Sequence, residues 1–213
     1  MKELTTHVEL LWDRPVSPNL DAGNATVACA YARATQLDDG RIVCVYRQAK
    51  TKHSHDGKLV TQSSNDGGQS WSEPETLFKR IESSPTETVV SGGVCAIGKD
   101  RLLATVGTMV DLKPDVYMFA DDAAHLRRRV YAMVSDDAGR NWTAPVALDT
   151  HPYRRAGITS NPMVLPNGAI GIPLEVATDI GVHATVMTFA RETEGQWTFE
   201  PLAPCAADPA GEL

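Results

Sequence analysis

Ser64-Asn65-Asp66-Gly67-Gly68-Gln69-Ser70-Trp71 and Ser135-Asp136-Asp137-Ala138-Gly139-Arg140-Asn141-Trp142 are two versions of one octet, Ser-x-Asp-x-Gly-x-x-Trp. Proline follows three residues after each tryptophan, as Pro74 and Pro145. A third, decayed copy is expected at Trp197 and Pro201, with Ala190, Glu192 and Glu194 where Ser, Asp and Gly would stand. The octet has the chemistry of a tight hairpin turn. The Asp carboxylate accepts N–H groups of its own turn, and Gly takes a backbone conformation with positive φ. Trp then folds back as an apolar plug between sheets.

A second turn signal precedes each tryptophan. Leu37-Asp38-Asp39-Gly40-Arg41-Ile42-Val43, Ile97-Gly98-Lys99-Asp100-Arg101-Leu102-Leu103 and Leu165-Pro166-Asn167-Gly168-Ala169-Ile170 each set a polar turn between apolar runs. That pattern is a hairpin marker. Each unit therefore reads strand, turn, strand, loop, strand, octet turn, strand: one four-stranded blade. Three such units are expected, at about 24–80, 85–150 and 157–203, so the fold class is an all-β propeller of four-stranded antiparallel blades. From Gly40 to Trp71 is 31 residues and from Gly168 to Trp197 is 29, but from Asp100 to Trp142 is 42. The middle unit thus carries an insertion, placed around Val110 to Arg129 between its second and third strands.

The octets and their upstream turns resemble the Asp-box (BNR) repeats of the sialidase (neuraminidase) superfamily across nearly the whole chain. The resemblance implies a six-bladed propeller, of which three blades are present. The chain is therefore expected to be a fragment or truncated product lacking C-terminal blades, or a half-propeller that closes as a homo-oligomer. It also implies a glycoside hydrolase with a carbohydrate partner, in which an Asp serves as acid/base and a Tyr/Glu pair lies in later blades. Three arginines would grip the substrate carboxylate. The first belongs to a Phe/Tyr-Arg-Ile-Pro motif, whose arginine position falls here on Ala30. Tyr31-Ala32-Arg33 is similar instead to the aromatic-Pro-Arg pattern of exo-acting arabinanases, without its proline.

Strand direction puts the blade entrances and the loops after each second strand on one face, which the resemblance makes the working face. Candidates there are Asp56 as catalytic acid/base, with Arg33, Arg47, Glu87, Asn161 and Glu175 as substrate contacts. Asp111, Asp115, Asp179 and His183 occupy the corresponding loops of the later units. His53 and His55 are read as solvated loop residues, because no carboxylate pattern completes a metal site. No cofactor is expected. Non-catalytic binding of glycan or protein by the same face is the alternative function, and pure assembly a third.

Composition sets the remaining bounds. The chain has 20 basic against 27 acidic residues, a net of -7, which argues against a nucleic-acid partner. The basic run Arg127-Arg128-Arg129 is read as a solvated loop or strand end. No window approaches 18 apolar residues, so no membrane span is expected. Cys29, Cys44, Cys95 and Cys205 are scattered without a Cys-x-x-Cys pair, which suits reduced thiols. The N-terminus lacks an apolar h-region, giving a cytoplasmic expectation, or a secreted one if a leader has been removed.

Overall fold

The computed structural model describes residues 16, 27–79, 86–112, 127–153, 155–177 and 183–206. Three antiparallel sheets follow one another along the chain, and no helix occurs among the described residues. The first holds β1 (Ala28–Gln36), β2 (Ile42–Ala49), β3 (Lys58–Ser64) and β4 (Glu75–Phe78) in sequence order. The second repeats the order with β5 (Thr88–Gly98), β6 (Arg101–Met109), β7 (Arg128–Ser135) and β8 (Val146–Ala147). The connection from β6 to β7 is the inserted one, and its residues 113–126, with Asp115, Tyr117, Met118 and Phe119, lie outside the described residues.

The third sheet departs from that pattern at both edges. Its inner strand is split into β9 (Arg155–Ile158) and β10 (Met163–Val164), which both pair with β11 (Ile170–Ala177). Pro162 lies in the gap, where a residue without an N–H cannot continue the ladder. Its outer strand is split by Pro201 into β13 (Gln196–Phe199) and β14 (Ala203–Ala206), both paired with β12 (His183–Thr193). The sheet runs from Arg155 to Ala206.

The two octets fold alike. Ser64 Oγ donates to Asp66 and accepts from the Gly68 N–H at 2.8 Å, and Asp66 accepts the Ser70 N–H at 2.9 Å. In the second, Ser135, Asp137, Gly139 and Asn141 make the same bonds, at 2.9, 2.8 and 2.8 Å. Gly68 and Gly139 take φ of +94° and +89°. The expected third octet is absent: no octet loop forms between β12 and β13. β12 continues to Thr193, and Glu194-Gly195, with φ of 52° and 76°, closes a two-residue turn. Two positive-φ residues match the right-handed strand twist, so a shorter turn replaces the longer one. Trp197 sits in β13, and the Arg101 guanidinium lies 5.9 Å above its ring.

Sheets stack on two cores. Val43, Val45 and Leu59 of the first meet Leu102, Val106, Tyr131 and Met133 of the second. Leu103, Val130, Ala132 and Val134 turn the other way, against Ile170, Ile172, Leu174 and Val176 of the third. The middle sheet is thus buried on both faces, which accounts for the continuous burial along β6 and β7 where a half-exposed strand would alternate.

Inner strands of a radial array carry unpaired backbone groups on their axial edge. Here side chains supply the missing partners. Asn161 accepts the Val94 N–H at 3.2 Å and donates to Ala34 O at 3.0 Å, tying all three sheets together. Ser91 Oγ donates to Ile158 O, and Thr35 Oγ1 accepts the Ala96 N–H.

Candidate functional site

Where β1, β5 and β9 converge, a cleft of about 290 Å³ opens among all three sheets. Tyr31 and Arg33 come from β1, Ser91 from β5, Thr108 from β6, Arg128 from β7, Gly157 from β9 and Glu175 from β11. Two expected contacts, Arg33 and Glu175, therefore meet at the axis. A β-bulge in β1 delivers the first. Ala30 pairs with Arg47 but Arg33 pairs with Val45, so one extra residue is inserted. Tyr31 absorbs it at φ 58°, a sparsely populated conformation for a bulky side chain. Arg33 then donates to Ala32 O at 3.0 Å and, across the axis, to Thr159 O at 2.9 Å.

Arg128 was not among the expected site residues. It stands in a basic run that reads as a strand end, and it is the first residue of β7. Its guanidinium lies over Gly157, where a Cβ would come within 3.1 Å of Nη1. Glycine at 157 is what leaves room for it. Burial lowers the Arg128 pKa most, Glu175 opposes that shift, and Arg155 adds to it. An electropositive pair, Arg33 and Arg128, thus faces one carboxylate across a narrow space.

A larger cleft of about 720 Å³ lies beside it, lined by residues of the β2–β3 loop and the start of the second sheet. It holds the other expected pair, Asp56 and Glu87. Asp56 accepts the Ser54 hydroxyl and the Lys50 N–H. Burial raises its pKa, but these hydrogen bonds together outweigh burial and hold the carboxyl below its usual value. Such a group stays ionised, whereas a general acid needs its proton. Glu87 is 1% exposed; its Oε1 accepts from Thr108 and, at 3.0 Å, from the Tyr131 hydroxyl. Its Oε2 accepts no hydrogen bond among the described residues and lies 4.0 Å from Nη1 of Arg129.

Arg47 is placed otherwise than expected. It is 1% exposed, and its guanidinium is directed at three backbone carbonyls: Val89 O at 2.7 Å, Thr51 O at 3.1 Å and Ser54 O at 2.6 Å. A side chain so enclosed shapes the β2–β3 loop and docks it on β5; it does not line either cleft. Asn161, spent on Val94 and Ala34, likewise holds strands together. Asp111 pairs with Arg127 at 2.7 Å on the surface. Asp179 and the side chain of His183 lie outside the described residues. Among the described residues no group of three or more His, Cys, Asp or Glu is placed to hold a metal ion.

No protein-family model matches the sequence, and no curated protein matches it. Solved structures do match by shape. A protein of unknown function from Dyadobacter fermentans superposes with a TM-score of 0.66 at 20% identity, over 87% of this chain and 57% of its own. A Hadza microbial sialidase gives 0.66 at 12% identity, covering 86% and 39%. Trypanosoma rangeli sialidase in complex with sialic acid gives 0.60 at 17% identity, covering 81% and 30%. The fold is that of sialidase propellers. The chain spans from under a third to just over half the length of these structures.

Proposed function

We propose that this chain is a sialidase-like, exo-acting glycoside hydrolase, or a portion of one, that holds a terminal sugar in the axial cleft. The observation that carries this reading is the convergence of Arg33, Arg128 and Glu175 from three separate blades on one narrow space. Forked guanidinium donors suit paired sugar oxygens or a carboxylate, and Glu175 suits a hydroxyl donor. Tyr31 supplies an aromatic wall. Asp56 is the acid/base candidate in the adjoining cleft; held ionised, it is set to accept a proton rather than to give one, with Glu87 as a polar contact. Arg47 acts by positioning the loop that carries Asp56. The nucleophile is expected from blades outside this sequence. A panel of aryl glycosides assayed with wild-type protein, Arg128→Ala and Asp56→Asn tests the reading. Turnover that survives both substitutions unchanged removes these residues from the site.

A second reading, a non-catalytic propeller binding glycan or protein at the same cleft, draws support from Asp56. Its carboxyl is held low, opposite to what proton donation needs. Binding on a glycan array without cleavage of any panel member selects this alternative.

A further inference from the structure

The wider cleft next to the axis has a charge pattern of its own. Lys50, Lys58 and Lys79 all line it, on a chain whose net charge is -7. Lys50 lies beside Asp56, the two charges acting on each other. Lys58 and Lys79 line the cleft and make no ion pair or side-chain hydrogen bond among the described residues. Buried Glu87 lines the same cleft, and its Oε2 accepts no hydrogen bond among the described residues, with only Arg129 Nη1 near it at 4.0 Å, a costly condition for a carboxylate oxygen away from water. The cleft therefore asks for two things at once: an anion for the lysines and an O–H donor for Glu87. Inorganic phosphate supplies the first, but its greater charge, about -1.5 to -2 near neutral pH, meets more repulsion from Asp56 and Glu87 than a single carboxylate does. A neutral sugar supplies only the second. A uronic-acid unit supplies both, and buried Leu112 offers an apolar surface for its C–H face.

The two clefts are back to back. Thr108 lines the axial cleft, and its hydroxyl donates to Glu87 of the lateral one. Resting on the reading of the axial cleft as a sugar site, we propose that the lateral cleft is a subsite for an acidic sugar, a uronate residue linked to the terminal sugar. The enzyme's substrates are then acidic oligosaccharides, gripped by carboxylate at Lys58 and Lys79 and by hydroxyl at Glu87.

Titration calorimetry with trigalacturonate and a neutral galactose trisaccharide tests this, using wild-type protein, a Lys58→Met/Lys79→Met double variant, and inorganic phosphate as a control ligand. The acidic trisaccharide is expected to bind about tenfold tighter than the neutral one, a preference that falls to within about twofold in the double variant. The preference should also shrink as salt is raised. Equal binding of both sugars, a preference the double variant keeps, or phosphate binding as tight as the uronate overturns the proposal. Failure of the axial reading looks different. In that case Arg128→Ala binds every terminal sugar as wild type does, while the lysine-dependent preference persists.

Discussion

Replacing Arg47 with Met removes the charge while roughly keeping volume, and the structure fixes what is lost. Three backbone carbonyls, of Val89, Thr51 and Ser54, lose their donor. Val89 O lies against buried β5 and has the least access to water, so it bears a full desolvation cost of about 1–3 kcal/mol. The two loop carbonyls can turn to solvent and account for about 0.5–1.5 kcal/mol each. Against this, burial already works against the charged guanidinium, lowering its pKa, and that cost disappears with the charge. The net is a destabilisation of about 2–4 kcal/mol, or roughly 5 to 15 °C in Tm for a chain of this size. Differential scanning fluorimetry reads it directly. Arg47→Lys should recover only part of the loss, since an ammonium cannot span three carbonyls in a fixed fork. A Tm within about 2 °C of wild type, together with a loss of sugar binding, would instead return Arg47 to the ligand.

Other consequences follow from the same geometry. Gly157→Ala puts a methyl 3.1 Å from Arg128 Nη1 on a backbone that tolerates it, so sugar affinity should fall roughly threefold to tenfold with Tm nearly unchanged. Asp66 and Asp137 are held at about 2, against an ordinary 3.8, by hydrogen bonds within their turns, from Ser70 and Ser64 in one and Asn141 and Ser135 in the other. Lowered folded-state pKa values mean stability present above about pH 4 and lost as pH falls toward 2. The gap in urea midpoint between wild type and Asp66→Asn/Asp137→Asn should therefore narrow over that window; a gap independent of pH contradicts the turn assignment. Burial pushes the Cys44 thiol up to about 11 and Cys95 to about 12, while Cys29 and Cys205 are exposed. A thiol reagent at pH 8 should label two cysteines quickly and the other two only after denaturation.

Local chemistry was legible in the sequence because it is written at fixed spacing. Ser64, Asp66, Gly68 and Ser70 make their bonds among themselves, so reading the octet amounts to reading the turn. Leu37 to Arg41 and Leu165 to Ala169 likewise close identical hairpins, each with Gly at positive φ. The third unit misled because Trp197 and Pro201 fit the octet, while the shorter signal, Glu194-Gly195, lay directly upstream. Long-range placement was not legible. Arg47 looked like a strand-end contact because its partner, Val89 O, belongs to the next sheet. Arg128 hid in a basic run that resembles any solvated strand end, and its role depends on Gly157 and on Glu175, both in the third sheet. Arg33 and Glu175 were expected on one face, but the axial cleft that joins them exists only once three inner strands close around it and a bulge turns β1.

Under the proposed reading a sugar binds in the axial cleft, not on the turn face or at a sheet edge. A crystal grown with the best ligand from the glycoside panel tests it most directly. Sugar density is expected between Arg33, Arg128 and Glu175, with guanidinium donors on sugar oxygens. A well-ordered sugar bound elsewhere, with the axial cleft holding only water, would contradict it.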